Sequence, residues 1–468
     1  MDDVSAIYVK SGGDLSLTNP TIETSGDTSS NDYSSFYGLN AAVLATANSA
    51  VTIVGGSITT SGTGANGAFP TGSGASISLS GTTIRATGKG GHGVMATNGG
   101  LLVLDDVDID TAGANSAPLA TDRGSGTVTV TGGTVVSSGQ DSPGIYSTGV
   151  ITVTGGGITA TNSEAAVIEG SNSIALTDTV LVGSKGSRDR GIMIYQSLSG
   201  DADSGRGVFT MSGGSYNWTS TTGPAFFVTN TEATIILSGV AVTNPSAVLL
   251  RASAGDWGTS GSNGGTVTLR ADHETLSGSL VSDDISSINA VLQNGSTLTG
   301  AIDSAALSLD ATSRWVVTGD SVLSTLSDSA GISGTAITNI VGNGHTVTYD
   351  VTLAGNNALA GRTFTLVNGG TLTPVSATTT TIATATPTAT DTATAVLMVP
   401  GGSNVPTCIS TAGIYDDVNG NGRKDFADVT LYFNRMTWIA ANEPLAAFDY
   451  NGNGRIDFAD VTWLFNHL

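Results

Sequence analysis

The chain has 468 residues, 64 of them Gly and one of them Cys, and it carries 16 Lys and Arg against 38 Asp and Glu for a formal net charge of −22. Such a polyanion is excluded as a binder of nucleic acid by charge neutralisation, and a single thiol excludes a disulfide framework or a thiolate-built metal site. No run of 18 apolar residues occurs, so no membrane-spanning segment is predicted; residues 1–15 lack the basic start and apolar run of a signal peptide, as in a processed form of an exported protein.

A unit recurs from residue 11 onward. Residues 11–26 read SGGDLSLTNPTIETSG, 48–62 NSAVTIVGGSITTSG, 74–88 GASISLSGTTIRATG and 98–113 NGGLLVLDDVDIDTAG; further copies begin at 126, 149, 171, 207 and 231. Each is a strand of alternating apolar and polar residues, a two-residue Gly-type corner, and a second strand. A third segment such as 5–9, 92–96 or 143–147 sits between units. Three short strands per turn without helices predict an all-β, right-handed parallel β-helix, in which each rung buries its apolar row only by stacking on its neighbours. A β-sandwich shares the short alternating strands, but the repeated corner argues against it.

From about 266 the unit has less Gly and fuller alternation, as in tighter rungs, and strands continue through 338–370. Residues 371–407 are rich in Thr, Ala and Pro; a strand is predicted at 380–399, followed by a linker at 400–412. The resulting division is 1–375 for the β-helix, 376–412 for a terminal strand and linker, and 413–468 for a different module. The phrases NGSTLTGAI at 294–302, SRWVVTGDSVLSTLSD at 313–328 and NIVGNGHTVTYD at 339–350 resemble the passenger domains of autotransporter adhesins. That resemblance implies a β-helical fold and says little of activity.

The last residues carry a separate chemistry. Residues 417–428 read DVNGNGRKDFAD and 449–460 read DYNGNGRIDFAD, 32 residues apart. In the first, Asp417, Asn419, Asn421, the carbonyl of Arg423, Asp425 and Asp428 are spaced as oxygen ligands for calcium. The matching set is Asp449, Asn451, Asn453, the carbonyl of Arg455, Asp457 and Asp460, with Gly422 and Gly454 at the sharp turn. Two Ca2+ ions are expected. Asp replaces the usual Glu at the twelfth position, and each loop runs straight into a helix, from 426 and from 458, without the usual entering helix.

These features resemble dockerin, the paired-loop module that docks onto cohesin domains. The resemblance implies a small α-helical domain and a cohesin-like partner met near Phe426 and Ala427 or Phe458 and Ala459. Phe426, Val429 and Phe433 match Phe458, Val461 and Phe465 at helical spacing and are read mostly as core. Lys424, where the second loop has Ile456, suggests a looser first loop.

Other polar groupings are weaker. Asp105, Asp106, Asp108 and Asp110 read as a solvated strand edge or a metal or sugar site. Lys185, Arg188, Asp189 and Arg190 read as a basic loop, and Asp256 with Trp257 as a sugar platform. His92, His273, His345 and His467 show no ligand spacing, and Trp315 is expected to pack between rungs. No catalytic set is assigned. The reading is a secreted or cell-surface adhesin-like structural protein, with a β-helical rod that can stack end to end into a filament, a calcium-dependent docking module, and a surface glycan as a further partner. The alternative is a dockerin-bearing polysaccharide lyase or glycoside hydrolase.

Overall fold

The computed structural model describes residues 1–376, 396–409, 414–451, 456 and 458–468. Two compact units divide the chain, Met1–Thr378 and Thr379–Leu468. The strand predicted at 380–399 falls mostly outside the described residues, and 396–399 have no strand structure.

In the first unit the chain visits three parallel sheets in turn. Ile7–Val9, Asp14–Thr18 and Thr21–Thr24 make one rung, and Val43–Thr46, Ala50–Val54 and Ser57–Thr60 stack on it in register. The circuit repeats down the unit as the parallel β-helix expected from the repeat. In the second sheet Val51, Ile77, Leu102, Val128, Ile151, Ile174, Phe209, Ile235 and Leu269 occupy one register position, and all are buried. The strand period of two puts Thr52, Ser78, Thr129 and Thr152 on the opposite face, so a one-residue slip would turn the core row to water.

The corner between the second and third sheets is built on one backbone conformation. In the first ten rungs its first residue is Asn19, Gly55, Gly81, Asp106, Gly132, Gly155, Asp178, Gly213, Gly239 or His273, each with φ between 49° and 70°. Left-handed backbone explains the choice of Gly, Asn and Asp there. Gly133, the next residue in its rung, is more restricted: a Cβ on it would lie 2.2 Å from the Val107 carbonyl oxygen of the neighbouring rung.

Towards the C-terminal end of this unit the rungs shorten. Leu102 and Val128 are register partners 26 residues apart, whereas Ala290 and Leu307 are partners only 17 apart. The cause is that Ile302–Leu309 pairs with both Ser279–Ser282 and Ser287–Gln293, so one strand serves two sheets and a corner is lost. Trp315 is fully buried in this tight region, and its Nε1 donates to the Gly300 carbonyl at 2.9 Å.

A helix that the strand pattern did not suggest, α1 (Asn31–Tyr37), lies between the first and second rungs. Ser30 caps its start and Gly38, at φ 74°, ends it. It lies beside the outward face of the first sheet, where Leu44, Phe69, Met95 and Ala120 form a second apolar cluster. The Thr97 hydroxyl donates to the Phe36 carbonyl at 2.8 Å, and the Arg123 guanidinium sits 3.8 Å from the centre of the Phe36 ring.

The second unit holds α2 (Phe426–Asn442), a short α3 (Leu445–Phe448) and α4 (Phe458–Asn466). Val399, Val418, Tyr432, Ile439, Phe448, Tyr450 and Leu464 are among its core residues. No helix among the described residues is long and apolar enough to cross a membrane.

Candidate calcium loops and docking face

The first loop is organised by its carboxylates. Asp417 is fully buried; its Oδ1 accepts from the Asn421 N–H at 3.0 Å and its Oδ2 from the Gly422 N–H at 2.9 Å. Asn421 Oδ1 accepts from the Arg423 N–H at 2.8 Å. Asp425 caps α2 through the Ala427 N–H at 2.9 Å, and Asp428 closes the capping box on the Asp425 N–H at 2.9 Å. The ninth and twelfth residues of the loop thus also form the helix start. Burial pushes the Asp428 carboxyl above its usual range, backbone donors oppose this, and the charges of Asp417 and Asp425 add to it.

A cation among these groups would remove that repulsion, and the donor set of carboxylates, Asn amides and a main-chain carbonyl is the hard-oxygen chemistry that calcium takes. Among the described residues no three or more Asp, Glu, His or Cys side chains form a metal-holding group by themselves. Lys424 is not loosely held. Its Nζ is 3.4 Å from the fully buried Asp416 carboxylate and 5.5 Å from the centre of the Trp463 ring.

The second loop repeats the arrangement where it is described. Asn451 N–H donates to Asp460 Oδ1 at 3.1 Å, as Asn419 N–H does to Asp428 Oδ1 at 2.9 Å. Asp449 follows α3 directly, so this loop does have a short entering helix, which corrects the expectation that neither loop has one. Asn453, Arg455 and Asp457 lie outside the described residues.

The helical repeat resolves into two classes of residue. Val429 and Val461 are buried, as expected of core, but Phe426, Phe433, Phe458 and Phe465 are 61%, 54%, 58% and 53% exposed. They correct the core reading: helical spacing aligned them correctly, yet the stripe they form faces outward. Phe426 meets Phe465 with ring centres 6.1 Å apart, and Phe433 meets Phe458 at 5.8 Å, both edge to face. Together with Val429, Thr430, Val461 and Thr462 they line one apolar depression between α2 and α4. An apolar face of this kind marks an interaction surface.

The remaining candidates are dispersed or absorbed into the β-helix. Asp105 pairs in register with Ser80 and Thr131 on the second sheet, Asp106 occupies the corner, and Asp108 and Asp110 lie on the third sheet. Asp108 accepts from the Thr134 N–H at 2.9 Å. His92 is held by the Ala117 carbonyl at 3.0 Å, and burial lowers its pKa to about 4. His345 is 3.6 Å from Asp320, His273 bonds its neighbour Asp272, and His467 stacks on Trp463.

The basic loop and the Asp256–Trp257 pair come together. Arg188 and Arg190 each reach Asp256 at 3.3 Å, Arg188 lies over Trp257, and Arg190 lies over Phe227 at 4.2 Å, while Lys185 pairs with Asp189 at 3.2 Å. Trp257 packs on Tyr195 with ring centres 4.3 Å apart. Beneath them is a buried group that no sequence pattern marked. Glu169 accepts from Tyr146 at 2.6 Å, from Tyr195 at 2.8 Å and from Ser197. Asp122 lies on the same sheet; burial, with smaller contributions from the charges of Asp201 and Glu169, raises its pKa to about 7.

Residues 415–468 match the dockerin type I domain. The match identifies the C-terminal module as a docking module of the kind that binds calcium and engages cohesin domains; it covers 54 of the 468 residues and leaves the β-helix unassigned. Comparisons with curated proteins and with solved structures find no match.

Proposed function

We propose that this is a secreted or cell-surface protein whose β-helix is an adhesin-like structural rod, attached to its assembly by a dockerin module that holds two calcium ions and docks a cohesin-like partner through the Phe426, Phe433, Phe458 and Phe465 face. The observation that carries the docking reading is that exposed face, because four aromatic side chains are left in water at a cost that a partner would recover, about 1.5–3 kcal/mol for each one fully buried. The first ion is assigned to Asp417, Asn419, Asn421, the Arg423 carbonyl, Asp425 and Asp428. The second is assigned to Asp449, Asn451, Asn453, the Arg455 carbonyl, Asp457 and Asp460. In each loop the ion would draw the carboxylates together and fix the start of the following helix. The glycan target of the rod, and end-to-end stacking of copies into filaments, belong to the same proposal.

The test is titration against a panel of cohesin domains with calcium and after chelation. Binding that needs calcium and weakens at least tenfold in Phe433→Ser and Phe465→Ser supports the reading; undiminished binding in both variants removes the face from it. Electron microscopy of the same samples, with ordered fibres or only isolated rods, decides the stacking.

One observation favours the enzyme reading instead. Asp122, whose pKa burial raises to about 7, lies close enough to the buried Glu169 on the same sheet to feel its charge, and a pair of neighbouring carboxyl groups is the raw material of glycosidic cleavage. Release of reducing ends or unsaturated products from a polysaccharide panel, abolished in Asp122→Asn, would establish it; binding without turnover would favour the structural rod.

A further inference from the structure

Residues 396–409 precede the matched dockerin residues, yet they are fastened to the first calcium loop. Thr407 and Asp417 exchange backbone hydrogen bonds of 3.0 and 3.1 Å, and the Thr407 hydroxyl donates to Asp417 Oδ2 at 2.6 Å. The Ser403 and Asn404 N–H groups both donate to the Asn419 carbonyl, at 2.7 and 3.2 Å, and Asn404 Nδ2 donates to the Gly420 carbonyl at 2.9 Å. The approach is so close that a Cβ on Gly420 would lie 2.6 Å from the Asn404 carbonyl oxygen. The segment is anchored at its other end as well. Val399 is fully buried, the Leu397 N–H donates to the Glu443 carboxylate at 3.1 Å, and Arg435 Nε donates to the Pro400 carbonyl at 2.9 Å.

We propose that 396–409 is a strap belonging to the calcium site, in which Thr407 is a positioning residue for Asp417, so that filling the first loop and seating the strap are one linked equilibrium. This rests on the calcium reading of that loop. Asp417 supplies the first ligand position, and its carboxylate can accept about four hydrogen bonds or metal contacts. Three are used, by Asn421, Gly422 and Thr407, which fixes the carboxylate plane while leaving capacity for a cation. Partners of this outer kind typically govern metal affinity by 10–100-fold. Linkage requires the reverse effect, that calcium tightens the strap. The second loop is entered from α3 instead, and so serves as the internal reference.

Hydrogen–deuterium exchange of the full chain, followed through a calcium titration, reads 397–408, 417–428 and 449–460 separately. In the unaltered chain calcium slows exchange in all three segments, and 397–408 shares its midpoint with 417–428. Thr407→Val moves that shared midpoint roughly tenfold higher and leaves 449–460 in place, while Thr407→Ser restores it. The strap is overturned if Thr407→Val and Asn404→Ala both keep the original midpoints, or if 397–408 ignores calcium while 417–428 responds. A chain in which neither loop responds overturns the calcium reading and the strap with it, and is told apart by the silence of 449–460.

Discussion

Several acids in this polyanion are buried where their charge is costly, and Glu274 is the clearest case. It is 1% exposed at a corner of the β-helix; its Oε1 accepts from the Val240 N–H at 2.7 Å, but Oε2 is buried without a partner. Burial raises its pKa to about 7. A folded-state pKa above the unfolded value means that the native form binds the extra proton, so this group's contribution is complete below about pH 4.5 and is lost as pH rises through about 7. Glu274→Gln keeps the acceptor for Val240 and removes the buried charge. The variant should be more stable than the parent at pH 8, by on the order of 1 kcal/mol in chemical denaturation, and the difference should shrink at pH 5. An equal difference at both values would remove the titration of Glu274 from the account.

At the level of strands and corners, stability depends on which backbone conformations the rung imposes. Gly132 has φ 67° and a Cβ there would have 3.8 Å to its nearest neighbour, whereas Gly133 has φ 75° and a Cβ would be 2.2 Å from a carbonyl oxygen. Asn occupies the Gly132 position in the first rung, at Asn19 with φ 49°. Gly132→Asn is therefore expected to cost less than about 1 kcal/mol, and Gly133→Ala about 2 kcal/mol or more. Denaturant midpoints of the two variants would settle the contrast; equal losses would show that left-handed backbone alone, and not the close approach, sets the cost. The helix α1 makes a related point. It occupies an insertion beside outward-facing Leu44, Phe69 and Met95, so the longer interval between the first and second rungs is a cover for apolar residues and not an empty loop.

For the whole molecule, the division at Thr378 and Thr379 predicts two separable cooperative events. Calorimetric heating in calcium should show two transitions, one from the β-helix and one from the C-terminal unit. Chelation should lower the second, because a ligand bound only to the native loops stabilises them by mass action, and should leave the first within about a degree. A single transition that moves as one on chelation would mean that the units unfold together.

The β-helix was legible in the sequence because its order is local and periodic: alternation sets the buried face of each strand, and the corner residues set where it ends. The docking module was legible for the same reason, since each copy of its loop motif falls within twelve consecutive residues, and the dockerin match covers both copies. What required the folded chain were relations between distant residues. Helical spacing paired Phe426 with Phe458 and Phe433 with Phe465 but was blind to which side of the helix pair they face. The Arg188, Arg190 and Asp256 contacts join residues more than sixty positions apart. Glu169 lies in a strand, AVIE, whose composition gives no sign of the tyrosines that rungs on either side bring to it. Residues 400–409, part of the linker expected at 400–412, are held by backbone hydrogen bonds to residues 417–420, and such bonds leave no mark on side-chain identity.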